Sequence, residues 1–396
     1  MASTLTLERV NSDIDVLSRA GLDVATFVAE VDQSLERAIP HVAACMCTVD
    51  PATHLLTGTY KFGDLYGNDE HDLDWGLQEY SGVDPSNFPD LFARNVDAVS
   101  VHRSTGGDVA ASPRLERFLN PLYGYADELR MVGRNGDVGW GGMALFRGPD
   151  DAPFTEHEVT FVASLSERFA AGLRSGLLVR LASAFQPGRP EADHRPAEAG
   201  PAVAIVDSAN RLLQVSVGAA RLLEEMTMEA NRADASGTIA SLIAGARRYV
   251  EGTAEVLPRG RVRLPSGRWI VLHASPLSGS DGRSGDVVIT MEEARPPEIV
   301  PLVVAAFGLT DRERDVTRLV LQGADTKEIA TTLHVSRYTV QDHLKSVFDK
   351  ADVRSRRELV SRVFFDQYSP RLGGDLAPSG WFATEVGPSP EATART

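Results

Sequence analysis

A chain of 396 residues, 43% of them hydrophobic, is too long for one ordinary core and long enough for two or three domains. No run of about 18 apolar residues occurs, and the N-terminus Met1-Ala2-Ser3-Thr4 lacks the basic and apolar stretches of a secretory signal, so a soluble, cytoplasmic protein with no membrane partner is expected. The formal net charge of −15 argues at first against a nucleic-acid partner, yet residues 308–365 carry 11 Lys and Arg against 9 Asp and Glu, which leaves −17 on the remainder. A mildly basic module on an acidic body would repel random polyanions and favour a specific site.

Pro-rich breaks at 186–201 and 295–301 punctuate the chain. The expected fold class is multidomain α+β, with units at 1–184, 202–294 and 308–366, linkers at 185–201 and 295–307, and a flexible tail at 367–396.

The first unit opens with an amphipathic helical pattern over 7–39 and closes with another over 155–181. Strand-like sequence lies between, over 42–49, 55–62 and 128–146, and the last contains Asn135-Gly136, a preferred centre for a tight hairpin. Cys45 and Cys47 stand two apart on the first strand, on one face and without the geometry a disulfide prefers. With His41 and His54 they match no usual zinc spacing, so neither metal nor cofactor is expected. Gly136, Gly139, Gly141 and Gly142 follow a hairpin rather than opening a helix, which argues against a phosphate loop. Their expected role is close backbone approach.

In the second unit a strand over 203–206 turns at Asp207-Ser-Ala-Asn210 and leads to a helix over 219–226. Strands over 261–264 and 269–273 flank the turn Pro265-Ser266-Gly267, and a last strand spans 287–291. Asp207 ends an apolar strand as a phosphorylated aspartate would. The acidic pair expected before such a residue is absent, and antiparallel strands follow.

In the third unit Thr310 and Glu313 form a capping box that starts a helix with the stripe Val316, Leu319 and Val320, and Gly323 ends it. Asp325 to Glu328 repeats the start signal, followed by Ile329, Ala330 and Leu333. After the turn His334-Val335, Ser336 can cap a third helix with the stripe Val340, Leu344, Val347 and Phe348. Tyr338, Asp342 and Lys345 then lie opposite the stripe, with Gln341 and His343 flanking it. A short helix, a tight turn and a capped helix with a polar outer face are the parts that enter a major groove.

Leu309-Thr310-x-Arg312-Glu313, Lys327-Glu328-Ile329-Ala330, Ser336-x-x-Thr339-Val340-x-x-His343 and Lys350-x-x-Val353-Arg354-Ser355-Arg356 together resemble the LuxR-type DNA-binding domain. The resemblance implies a bacterial transcription regulator with an all-α, four-helix domain. The third helix would read double-stranded DNA, and a fourth, over about 356–365, would pair two subunits into a homodimer. It implies backbone contacts from Lys327, Thr339 and His343, and base contacts from Gln341, Asp342 and Lys345. Ser336, Arg337 and Tyr338 complete the DNA-facing set. Ala351-Asp352 departs from the Leu-Gly or Leu-Asn usual after this lysine, and Asp tolerates the turn conformation.

Element order, with Ala126-Asp-Glu-Leu-Arg130 and Trp140-Gly-Gly142, resembles GAF-type sensor domains. This implies an effector pocket, for which Tyr123, Trp140 and Phe146 are the candidate lining. The second unit resembles a PAS-like sheet. A small-molecule effector and RNA polymerase are further candidate partners. The alternative is that both units serve only as a dimerisation scaffold. Gly-x-Ser-x-Gly, Gly-x4-Gly-Lys-Ser/Thr and His-Glu-x-x-His are all absent from the sequence, so an enzyme is not expected.

Overall fold

In the computed structural model the described residues are 3–80, 82, 84, 86–183, 201–228, 235–278 and 284–365. The tail expected over 367–396, and the linker expected over 185–201 apart from Pro201, lie outside them.

Residues 43–147 build a five-stranded antiparallel sheet of order β2-β1-β5-β4-β3, made by Ala43–Val49 (β1), Leu56–Gly63 (β2), Ala98–Ser100 (β3), Asp127–Asn135 (β4) and Val138–Arg147 (β5). Almost every residue of β4 and β5 is buried, the pattern of strands covered on both faces rather than one. One face receives helices Thr4–Arg19, Val24–Glu36 and Ser166–Ser183. The helical pattern over 7–39 is thus two helices, not one. Gly21, at φ +65°, breaks it, and the Asp23 carboxylate caps the second helix by accepting from the Thr26 amide at 3.0 Å. The pattern over 155–181 likewise divides into Glu156–Ala163 and Ser166–Ser183.

The β4–β5 hairpin turns one residue later than the Asn135-Gly136 dipeptide suggests. Asn135 pairs with Val138, so Gly136 and Asp137 form the loop, and the positive φ of +57° falls on Gly136 alone. Gly at the first central position is the type II′ arrangement.

A second five-stranded antiparallel sheet, of order β7-β6-β10-β9-β8, is made by Ala202–Val206 (β6), Leu212–Val215 (β7), Arg259–Arg263 (β8), Trp269–Ser278 (β9) and Ser284–Glu293 (β10). Asp207 closes the turn after β6 by accepting from the amides of Ala209 and Arg211, each at 2.9 Å. Sequence reasoning missed β7 and the helix Ser236–Val250. This helix lies against Asp72–Glu79 so closely that a Cβ on Gly76 would stand 2.6 Å from the Ala240 Cβ. The two sheets consequently share a continuous apolar core.

The linker expected over 295–307 is instead the helix Pro296–Ala306. Pro296 sits at the first helical position, where a missing N–H costs nothing, and the Glu298 carboxylate accepts from the Arg295 amide at 2.7 Å. Ile299, Leu302, Val303, Ala306 and Phe307 form one buried stripe at helical spacing. That burial outweighs the single donor lost at Pro301. Arg259 meets the Glu298 carboxylate at 2.5 Å and Arg261 donates to its carbonyl at 3.0 Å, fixing the helix to the second sheet.

Candidate nucleic-acid interface

Helices Asp311–Leu321, Thr326–Leu333, Arg337–Lys350 and Arg356–Val360 follow, and local side chains start each of them. Thr310 and Glu313 form the reciprocal box, with the Thr310 amide donating to the Glu313 carboxylate at 2.7 Å. Asp325 accepts from the amides of Lys327 and Glu328 at 2.7 and 2.8 Å. Ser336 accepts from the Thr339 amide at 3.0 Å. The turn between the second and third helices needs a left-handed residue, which His334 supplies at φ +55°. Asp352 takes φ +50° after the third helix, the conformation expected of it at this departure from the family pattern.

Arg337–Lys350 is held from beneath. Val340, Leu344 and Val347 are buried against the first two helices. Glu313 accepts from Ser346 Oγ and Lys350 Nζ, each at 2.6 Å. Burial alone would raise the Glu313 carboxyl, but the Lys350, Ser346 and Thr310 hydrogen bonds outweigh it and bring the pKa down to about 2. The sequence shows Glu313 only as a capping residue. Its hold on a helix over 30 residues away needs the tertiary fold. Arg356 donates to the Ala324 carbonyl and ties the fourth helix to the turn after the first.

The outer face is open. Ser336, Arg337, Tyr338, Gln341, Asp342 and Lys345 are exposed, Tyr338 at 74%, and Thr339 and His343 are half-buried beside them. Lys327 is exposed at the start of the second helix. The chemistry of this face is two exposed amine and guanidinium donors on one helix, an amide able to pair with adenine, and one carboxylate. It rides on a support that fixes its angle. Such a face can exchange hydrogen bonds with base edges while the flanking cations meet phosphates.

Tyr123, Trp140 and Phe146 are not brought together. Tyr123 and Phe146 belong to an aromatic cluster in which Tyr125 stacks on both, at 5.6 and 4.5 Å between centroids. Trp140 and Phe146 would share a face in a regular strand. Trp140, however, is the extra residue of a bulge, between Gly139 paired with Arg134 and Gly141 paired with Gly133. It therefore turns to the opposite face and packs with the core beneath the helices. Trp75, which sequence reasoning missed, lies 5.7 Å from Phe146 between ring centroids and lines a partly open pocket together with Cys45, Cys47, Lys61, Arg130 and Gly237. Burial pushes the Cys45 thiol up to about 12, which keeps it protonated and unreactive at neutral pH.

Residues 308–363 match the family described as bacterial regulatory proteins, luxR family. The chain is similar to the spore germination protein GerE of Bacillus subtilis, at 42% identity over 52 residues, covering 13% of this chain and 70% of that protein. It is also similar to the monoamine regulon transcriptional regulator of Klebsiella aerogenes, 37% identical over 92 residues, and to the transcriptional regulatory protein DesR of Bacillus subtilis, 39% identical over 67. These matches cover 20% and 17% of this chain, and the chain spans only 40% and 34% of the two relatives.

Proposed function

Because the chain belongs to the luxR family of bacterial regulatory proteins, we propose that it is a transcription regulator that binds duplex DNA through Arg337–Lys350. The observation that carries this reading is the exposed polar face of that helix, set on a buried stripe and clamped by Glu313. Lys345 and Gln341 read guanine and adenine edges, Asp342 the amino group of cytosine, and Lys327, Thr339 and His343 meet the backbone. Ser336, Arg337 and Tyr338 approach the same groove. Residues 356–365 pair two subunits, and RNA polymerase is the partner through which bound protein would act. Such a regulator is not an enzyme. No helix among the described residues is long and apolar enough to cross a membrane.

Residues 1–184 and 202–294 are GAF-like and PAS-like units whose occupancy by a small effector controls DNA binding, with 308–366 as the DNA-binding unit. Two antiparallel five-stranded sheets flanked by helices support this reading, as does the cavity beside Trp75. The test is selection of bound genomic fragments by the full chain at several salt concentrations. Enrichment of one short motif is expected. Binding that is indifferent to sequence would defeat the proposal.

A further inference from the structure

The partly open pocket beside Trp75 holds a charge that the fold leaves unbalanced. Most of its lining is apolar, with Trp75, Leu56 and Phe88 among the walls, and four charged side chains, Lys61, Asp72, Glu79 and Arg130, reach it from the first sheet and from helix Asp72–Glu79. Both cations are committed. Lys61 Nζ uses its three donors on the Asn68 carbonyl at 2.5 Å, on Asp69 at 2.8 Å and on Asp72. Arg130 donates to Glu128 at 2.9 Å and to Glu79 at 2.7 Å, and its guanidinium lies 3.8 Å from the centre of the Phe88 ring. An anion entering the pocket would meet cations whose charge is already answered.

The carboxylates differ. Glu79 is only 5% exposed, and its Oε1 accepts from the Phe88 amide at 2.5 Å and from Arg130. Its Oε2 receives no hydrogen bond among the described residues, and Arg114 stands 3.7 Å away. Unlike Glu128 Oε2, this oxygen is not sealed in, because Glu79 is part of the pocket wall. Charge points the same way. The buried cations Lys61, Arg114 and Arg130 are linked to four buried carboxylates, Asp72, Asp84, Glu79 and Glu128. Three against four leaves one negative charge over, before the half-buried Asp69 is counted. A buried charge without its counter-charge is costly.

We propose that the pocket binds a small organic monocation, a primary ammonium on a short apolar body, with the ammonium donating to Glu79 Oε2 and the body lying against Trp75 and Leu56. The ligand supplies both the missing positive charge and the donor that Oε2 lacks. Gly237, on helix Ser236–Val250, completes the wall, and a Cβ there would stand 3.3 Å from Thr59 Oγ1. A molecule held here thus touches both sheet units, and its occupancy bears on how that helix sits. This names the effector class for the regulator reading above and rests on that reading for its consequence. The site itself is tested without DNA, so the two can fail separately.

Benzylamine, benzyl alcohol and benzoate are similar in size and carry a positive, a neutral and a negative head. Titrated calorimetrically into the full chain near neutral pH, benzylamine should saturate a single site with a dissociation constant on the order of 1 mM or below. Benzyl alcohol should bind about tenfold more weakly, because a charge-assisted hydrogen bond becomes a neutral one. Benzoate should not saturate. Thr59→Trp fills the pocket from a half-buried strand position and should abolish benzylamine binding with the circular dichroism spectrum unchanged. Glu79→Gln keeps the side chain's shape and removes its charge, so the advantage of benzylamine over benzyl alcohol should disappear. Should that variant fail to fold, the order of the three probes and the Thr59→Trp result still decide. The proposal is overturned if benzylamine does not saturate, if benzyl alcohol or benzoate binds as tightly, if binding survives Thr59→Trp, or if the advantage persists in folded Glu79→Gln.

Discussion

The DNA-binding segment and the first sheet unit are stabilised by different kinds of interaction. In residues 308–365 the helix starts are set by partners two or three residues away, as in Thr310 with Glu313, Asp325 with Glu328 and Ser336 with Thr339. In the first unit the polar interior is assembled from distant segments. Arg130 on β4 meets Glu79 at 2.7 Å and Glu128 at 2.9 Å, and Arg114 meets Glu128 at 2.8 Å, with all four side chains at or below 6% exposure. Local signals specify elements, whereas buried charge networks specify how elements meet. Each ion in such a network depends on all the others.

The largest effect should come from breaking that network. Arg130→Met leaves Glu79 and Glu128 short of a buried counter-charge, and removing one partner of a buried pair costs about 3–5 kcal/mol. Trp75 and Trp140 report on this unit, while residues 308–365 contain no tryptophan. Urea unfolding followed by tryptophan fluorescence should therefore shift strongly. A shift below about 1 kcal/mol, the scale of exposed pairs, would show that the network is not what distinguishes the two regions.

Glu313→Gln tests the clamp that holds helix Arg337–Lys350 to the first helix of the DNA-binding segment. Losing the charge-assisted hydrogen bonds to Lys350 and Ser346 should cost about 1.5–3 kcal/mol, seen in circular dichroism with tryptophan fluorescence unmoved. The pH dependence has a definite sign. The folded carboxyl lies near 2 against an ordinary 4.5, so the stability it contributes is complete above about pH 4.5 and fades as pH falls towards 2. The Gln variant should lack that loss. An identical acid limb in both proteins would remove Glu313 as its cause.

How much the sequence revealed follows the same division. The helices of 308–365 and their outer face are readable because caps and stripes lie within a few residues of one another. The stripe of Pro296–Ala306 was equally local, yet three prolines outweighed it, although two of them occupy the first two helical positions where no donor is lost. The helix Ser236–Val250 has a buried face but no capping side chain to mark its start. Trp140 and Phe146 are pocket candidates only through the GAF-type resemblance, and a bulge at Trp140, which sequence does not announce, puts them on opposite faces. Lengthy separations hid the network. Glu79 and Arg130 lie 51 residues apart, and nothing in either neighbourhood names the other.

A third experiment separates base reading from backbone contact within the interface. Lys345→Ala should relax preference at one base pair, a discrimination of about 1–3 kcal/mol. Lys327→Ala should weaken all sites alike and lower the salt slope by about one. Both side chains are exposed and remote from the buried stripe, so stability should be unchanged. Two indistinguishable selections would collapse the distinction between these lysines.

The smallest effect concerns Ser336, where the local logic of the helix start and the proposed DNA-facing role fall on one residue. Its Oγ accepts from the Thr339 amide at 3.0 Å, and Ser→Ala at such a cap costs about 1 kcal/mol. Asp caps a helix as well as Ser does, so Ser336→Asp should restore the stability that Ser336→Ala loses. It also adds a negative charge at the end of Arg337–Lys350 nearest the proposed phosphates, where repulsion should weaken binding at low salt and fade as salt screens it. Ala would then be the less stable protein and Asp the weaker binder. Should Asp bind DNA as wild type does at every salt concentration, Ser336 is a cap and nothing more, and the interface begins further along the helix.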